Sequence, residues 1–154
     1  MIELQPGDAA PSFSAKDQQG KKISLADFRG KKVILFFYPE DDTPTCAATA
    51  CNLRDNYSLL MEKSFVVIGV SPDNMVSHKN YASKFSLPFS LLPDPDLKII
   101  NAYGAWGEKN LYGHKYMGLL RSTFAIDEKG IITAVIRKVD AENHTEQILK
   151  KAGW

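Results

Sequence analysis

The chain has 154 residues, 44% of them hydrophobic, which is enough to bury one full core, so we expect a single domain over residues 1–154. With 19 basic and 18 acidic residues the formal net charge is +1, so no strong field favours nucleic acid or an anionic membrane as a partner. The sequence has no apolar run of about 18 residues. Its start lacks a basic segment followed by an apolar one, so we expect neither a transmembrane helix nor a secretory signal.

An N-terminal hairpin is predicted from residues 12–15 and 22–25, which flank a polar turn whose Gly20 can adopt a positive φ. The run of residues 33–38 is rich in branched and aromatic side chains and predicts a buried strand. Pro39 ends this strand because proline cannot donate a hydrogen bond to a strand ladder.

A strand–helix–strand unit comes next, because a predicted helix at 47–62 separates the strand at 33–38 from a second apolar strand at 65–70. Two strands joined in this way are parallel, with a right-handed crossover. Residues 104–118, rich in glycine, aromatic residues and lysine, are predicted to form a loop. The other predicted elements are a helix ending near residue 85, a short strand at 89–92, one or two helical turns within 96–103, a hairpin of 122–126 and 131–136, and a last helix at 141–152. This order predicts one α/β domain with a mixed central sheet.

The two cysteines, Cys46 and Cys51, lie at the start of the first predicted helix and five residues further on. Cys46 follows a polar loop and comes two residues after Pro44, which suits a helix start. At that position unpaired N–H groups and the helix dipole favour a reactive thiolate. The alternative is that both cysteines are buried and inert, as free cysteines often are. The pair does not have the pattern of a disulfide scaffold. We therefore expect a cytoplasmic protein, because disulfides in the cytoplasm are usually transient and catalytic.

The spacing Pro39-x-x-x-Thr43-x-x-Cys46 resembles the peroxidatic motif of the peroxiredoxins, and the position of Cys51 is similar to that in the Q-type, or bacterioferritin comigratory protein, branch. Other stretches resemble the same branch, at residues 27–31, 91–96, 103–109, 116–118 and 121–124. The chain departs from the branch at Thr45, where glycine is usual, and at Thr49, where glutamate is common.

The resemblance implies a thioredoxin-like fold, with a central mixed sheet flanked by helices and an N-terminal hairpin. It implies a thiol-dependent peroxidase that reduces hydrogen peroxide and organic hydroperoxides, with Cys46 oxidised to a sulfenic acid and Cys51 forming an intramolecular disulfide with it. A thioredoxin or similar dithiol would reduce this disulfide, and we expect no cofactor, no nucleic-acid or membrane partner, and a monomer or weak homodimer.

Three further residues gain a role from the resemblance. Arg121 would face Cys46 across the fold, where its fixed set of donors favours the thiolate and holds a peroxide oxygen. The Thr43 hydroxyl would bridge the peroxide to the sulfur, and Pro39 would shield the pocket. Without the resemblance, Arg121 is a surface arginine at a strand start, Thr43 a helix cap and Pro39 a strand terminator.

Helix geometry adds a requirement for motion. Five residues of an α-helix rise about 7.5 Å and turn about 140°, whereas a disulfide needs Cα atoms within about 7 Å of each other. An intact helix cannot join Cys46 to Cys51, so we expect its first turns to unwind in every catalytic cycle.

Two other functions remain open from the residues alone. A thioredoxin-like disulfide oxidoreductase would prefer a Cys-x-x-Cys pair, which is absent. A non-enzymatic holdase or binding protein would keep its cysteines reduced after one equivalent of peroxide. His78, His114 and His144 are far apart in sequence, so we expect no metal site.

Overall fold

The computed structural model describes residues 3–154. Met1 and Ile2, which belong to the segment on which the expected absence of a secretory signal rests, lie outside the described residues. The strands are β1 (Ser14–Lys16), β2 (Lys22–Ser24), β3 (Lys32–Phe37), β4 (Phe65–Ser71), β5 (Ser90–Pro93), β6 (Trp106–Leu111), β7 (His114–Leu119), β8 (Ser122–Ile126) and β9 (Ile132–Ile136). The helices are α1 (Pro44–Asp55), α2 (Tyr57–Glu62), α3 (Met75–Phe85), α4 (Lys98–Ala102) and α5 (His144–Ala152). Short 3₁₀ turns at Leu25–Phe28 and Ala141–Asn143 precede β3 and α5.

A five-stranded mixed sheet in the order β5-β4-β3-β8-β9 forms the centre of the fold. The strand β3 is in the middle, parallel to β4 and antiparallel to β8, so the predicted parallel pair is confirmed. Five of its six residues are buried, since helices or loops cover both faces of the sheet. The N-terminal hairpin of β1 and β2 is also confirmed.

Alternate residues of β3 enter two separate cores, as the period of a strand requires. Ile34 and Phe36 point to the side covered by α1, α2, α3 and α5, which also contains Cys46. Leu35 and Phe37 point to the opposite side, where Tyr103 is packed. The helix that carries both cysteines is therefore held against one face of the central strand.

Three predicted elements differ from the observed ones. The predicted loop at 104–118 is wrong, because β6 and β7 form an antiparallel hairpin outside the main sheet. Its strands are largely exposed and show no buried alternating face, and its Tyr112-Gly113 turn lacks the asparagine or aspartate that usually signals a hairpin. The predicted helix at 47–62 begins earlier, at Pro44, and is interrupted at Asn56. The first turn of the last predicted helix is a 3₁₀ turn. Within residues 3–154, no helix has both the length and the apolar character needed to cross a bilayer.

Candidate active site

Cys46 is the third residue of α1 and is buried, with 1% of its surface exposed. Pro44 begins the helix, where its fixed φ and missing N–H cost nothing, and Thr43 precedes it in an extended conformation. The N–H groups of this first turn have no acceptor within the helix, so they and the helix dipole stabilise negative charge on the sulfur. Both cysteines are free thiols.

Arg121 lies directly against Cys46, although the two residues are 75 positions apart in the chain: its Nη1 donates to the cysteine Sγ at 3.2 Å. The pairing of β8 with β3 causes this approach, because Ser122 is opposite Phe37 in the register and Arg121 is the preceding residue. The Ser122 hydroxyl donates to the Leu120 carbonyl at 3.1 Å and so fixes the chain on both sides of Arg121. A charged donor at this distance can stabilise a thiolate, and later an oxygen bound to it.

Thr43 and Pro39 lie in the loop between β3 and α1, as predicted. The Thr43 hydroxyl donates to the Glu40 carbonyl at 3.4 Å and does not cap α1. This bond is longer than an ordinary hydrogen bond of a hydroxyl, so the group can exchange it for a better acceptor. Pro39 is half-buried and follows the buried Tyr38 at the end of the strand.

Cys51 is half-buried in the same unbroken helix as Cys46. The two residues that depart from the Q-type pattern contact each other in this helix, since the Thr49 hydroxyl donates to the Thr45 carbonyl at 3.0 Å. Because α1 is continuous from Pro44 to Asp55, the rise and rotation between the two cysteines prevent a disulfide in this conformation.

A cluster of buried and half-buried polar residues borders the same loop and was not predicted from the sequence. We call it the Asp41 cluster, and it consists of Tyr38, Asp41, Ser71, Asp73, Ser77 and His78. Its members come from the ends of the parallel strands β3 and β4 and from the segments that follow them. Functional polar groups often lie at the carboxyl edge of parallel strands. This rule is the signal from which the cluster could have been predicted.

The cluster contains the one group of metal-ligating side chains found among residues 3–154: atoms of Asp41, Asp73 and His78 lie within 4.8 Å of one another. These atoms already have hydrogen-bond partners. His78 Nδ1 is 2.7 Å from an Asp41 oxygen, and an Asp73 oxygen accepts from the Asp41 N–H at 2.7 Å. We therefore interpret the group as a hydrogen-bonded network and assign no metal to it.

Electrostatics in this region favour a charged Asp41 and neutral tyrosines. Burial alone would raise the pKa of Asp41, but hydrogen bonds from His78, Tyr38 and Ser77 outweigh it and lower the pKa below its usual value. Burial, together with the negative charge of Asp41, raises the pKa of Tyr38. Burial raises the pKa of Tyr81 as well, followed by the effect of Cys46. The Tyr81 hydroxyl is a buried group without a hydrogen-bond partner among residues 3–154.

Residues 6–135 match the AhpC/TSA family. The chain belongs to this family. A peroxiredoxin of Bacillus subtilis is 39% identical over 149 residues, which cover 97% of this chain and 95% of the relative. A Coxiella burnetii protein named as a peroxiredoxin is 43% identical over 148 residues, or 96% of this chain and 98% of its own length.

Solved structures agree with the sequence relatives. The bacterioferritin comigratory protein of Xanthomonas campestris, studied for its alkyl peroxide reduction activity, superposes with a TM-score of 0.85 at 27% identity, over 92% of this chain and 90% of that one. A Q-type peroxiredoxin mutant of Xylella fastidiosa gives a TM-score of 0.90 at 25% identity, over 99% and 98%. The protein is thus a thiol-dependent peroxidase of thioredoxin-like fold, and its family implies a peroxide substrate and a thiol reductant. Family membership favours this activity over the disulfide oxidoreductase and the holdase.

Proposed function

We propose that Cys46 is the peroxidatic residue of this enzyme and Cys51 the resolving residue, within one domain. The contact between Arg121 Nη1 and Cys46 Sγ at 3.2 Å, at the start of a helix, is the observation that carries the assignment. By contrast, Cys51 lies in the middle of the helix, where the N–H groups are already paired.

In the first step the Cys46 thiolate attacks one oxygen of the hydroperoxide. An S–O bond forms, the O–O bond breaks, and the other oxygen leaves as an alkoxide or hydroxide that takes up a proton. Arg121 stabilises the charge as it moves from sulfur to the leaving oxygen. Thr43 exchanges its long bond to Glu40 for the bound peroxide, and Pro39 limits the access of water.

In the second step Cys51 loses its thiol proton and its sulfur attacks the Cys46 sulfenic acid: an S–S bond forms, the S–O bond breaks, and the leaving hydroxide takes up a proton to give water. This step requires α1 to unwind, for the geometric reason given above. A dithiol then reduces the disulfide by thiol–disulfide exchange. We propose thioredoxin as that dithiol, a monomer or weak homodimer as the working form, and a reducing compartment such as the cytoplasm, where catalytic disulfides are transient.

Organic hydroperoxides are proposed as substrates beside hydrogen peroxide. The support is the alkyl peroxide reduction activity of the Xanthomonas campestris relative, together with the apolar core that surrounds Cys46.

Two single substitutions test the assignment. Cys46→Ser should abolish peroxide reduction. Cys51→Ser should still consume about one equivalent of peroxide and leave a sulfenic acid or its over-oxidised products at Cys46. Mass spectrometry of each variant after peroxide addition identifies the oxidised residue. If Cys51 in the Cys46→Ser protein reacts as fast as Cys46 does in the native protein, the roles are reversed.

A further inference from the structure

The loop that leads into the active-site helix is anchored through one buried carboxylate. The side chain of Asp41, 5% exposed, accepts three hydrogen bonds: from Tyr38 Oη at 2.6 Å, from Ser77 Oγ at 2.7 Å and from His78 Nδ1 at 2.7 Å. Its backbone N–H donates to Asp73 at 2.7 Å. Side chain and backbone of one residue therefore connect the loop to β3, to the segment after β4 and to α3.

The side chain of His78 is fully buried. Its Nδ1 faces a carboxylate, which cannot donate when ionised, so Nδ1 carries the hydrogen of this bond. On the other side of the ring, Nε2 lies 3.4 Å from the Ser71 hydroxyl, which itself donates to Asp73 at 2.9 Å. The imidazole is thus held by the short bond from Nδ1 to Asp41, and the Ser71 hydroxyl is a polar neighbour on its other side.

The chain turns sharply immediately after this anchor. Asp42 has a left-handed backbone with φ of 62°, a conformation unfavourable for a residue other than glycine. Such a residue persists only where its surroundings over-determine the backbone. The Asp42 side chain leaves the protein interior and pairs with the exposed Lys84. The next residue, Thr43, is already the N-cap of α1, so the position of Asp41 determines where the helix begins.

A contribution to stability is not enough to explain why the fold contains the Asp41 cluster. A buried ionic network is weak evidence for stability, because apolar side chains of similar volume often stabilise a fold as well or better. A polar network does, however, define one arrangement of the groups that it joins. Here it joins the segment that carries Thr43 and Cys46 to the sheet that carries Arg121.

We propose that Asp41 is a positioning residue for the peroxide step, held by His78, which sets the start of α1 so that Cys46 and Thr43 face Arg121. The proposal rests on the proposed role of Cys46. Misplacement of reacting groups by about 1 Å can cost about 10²-fold in rate. We therefore expect the loss of this anchor to slow the oxidation of Cys46 by at least about 10-fold.

The test compares Asp41→Asn with Asp42→Asn. Both exchange one carboxylate for an amide of the same shape in the same loop, and asparagine tolerates the left-handed backbone at Asp42. The readout is the second-order rate constant for oxidation by hydrogen peroxide in a rapid-mixing single turnover, well below the unfolding temperature of each variant. Asp41→Asn should be slow and Asp42→Asn within about twofold of the native protein, as expected for a surface change.

A second pair of variants at His78 separates positioning from folding. His78→Leu removes the donor to Asp41, whereas His78→Asn places an amide N–H near the position of Nδ1. The leucine variant should be slowed as much as Asp41→Asn, and the asparagine variant should recover most of the rate. The double variant Asp41→Asn/His78→Leu should be no slower than either single variant, because both remove the same bond.

A lower unfolding temperature with an unchanged peroxide rate in both Asp41→Asn and His78→Leu would show a purely structural cluster and overturn the proposal. The proposal would also be overturned if these two variants slowed only the formation of the disulfide and left the oxidation of Cys46 at the native rate. Failure of the proposed function is recognised separately, because Cys46→Ser would then still consume peroxide with Asp41 intact.

Discussion

Removal of Arg121 provides the most direct test of the active-site chemistry. At about 4 Å and an effective dielectric constant of about 20, two unit charges attract each other by about 4 kcal/mol. The observed distance of 3.2 Å between Arg121 Nη1 and Cys46 Sγ is close to this separation. Because Arg121 is only half-buried, water screens part of the interaction. Deletion of one well-placed donor costs about 10²–10³ in rate, or about 2.7–4 kcal/mol, and we expect Arg121→Ala to fall within this interval.

The assay is again the second-order rate constant for oxidation by hydrogen peroxide. Arg121→Ala should lower this rate constant, since in the proposed mechanism the guanidinium stabilises the charge as it moves from the sulfur to the leaving oxygen. Arg121→Lys should recover only part of the rate, because an ammonium group lacks the planar set of donors.

Arg137→Ala is the matched control. Arg137 also lies at the end of a strand of the central sheet, but it pairs with Glu3 at 2.9 Å and is 34% exposed. Its removal should leave the rate within about twofold of the native value. A rate for Arg121→Ala within the same range would refute the role assigned to this contact.

Two further predictions concern motion and pH. Oxidation to the disulfide should increase amide exchange at residues 47–53 while β3 stays protected; equal protection in both redox forms would instead indicate a disulfide between two chains. Burial lowers the pKa of His144, whose unfolded value is about 6.5. The unfolded chain therefore binds a proton that the folded chain does not, so the free energy of unfolding should decrease as the pH falls below about 6.5. In urea titrations at a series of pH values, His144→Asn should show a shallower decrease, and an equally steep one would contradict this assignment.

The sequence predicted those parts of the fold that depend on local composition. The runs that form β3 and β4 are continuous and apolar because both faces of the sheet are covered, so their parallel pairing followed from the helix between them. The position of Cys46 at a helix start followed from Pro44 and the polar loop before it. The hairpin of β6 and β7 was missed because its exposed strands have no apolar face to create a period of two.

The contacts that organise the site could not be derived from local pattern. Arg121 reaches Cys46 only because β8 pairs with β3 in one particular register, and only the resemblance to the peroxiredoxins predicted this contact. The bond between Asp41 and His78 joins polar residues 37 positions apart. Asp41 belongs to no periodic segment, and although His78 lies on the buried face of α3, the helical pattern does not indicate which polar group it binds. The contact of Asp73 with the backbone N–H of Asp41 also has no local signal.

The two halves of α1 are held with unequal strength, and the proposed catalytic cycle uses this difference. At the Cys46 end the helix has no side-chain cap, and the bond from Thr49 to the Thr45 carbonyl is of a type that slightly destabilises helices. At the Cys51 end, the neighbouring Asn52 makes three hydrogen bonds of 2.8 Å to the start of α5: it accepts from the N–H and hydroxyl of Thr145 and donates to the Glu142 carbonyl.

Unwinding from the N-terminal end therefore breaks fewer interactions than unwinding from the C-terminal end. The Cys46 sulfenic acid should move toward a Cys51 that stays near its original place, and the contact with Arg121 is lost in this movement. Once the negative charge has moved from the Cys46 sulfur to the leaving oxygen, that contact stabilises the helix less than it does in the thiolate form. In the proposed mechanism, oxidation of the sulfur thus weakens the interaction that opposes unwinding, so the chemical step itself prepares the helix for disulfide formation.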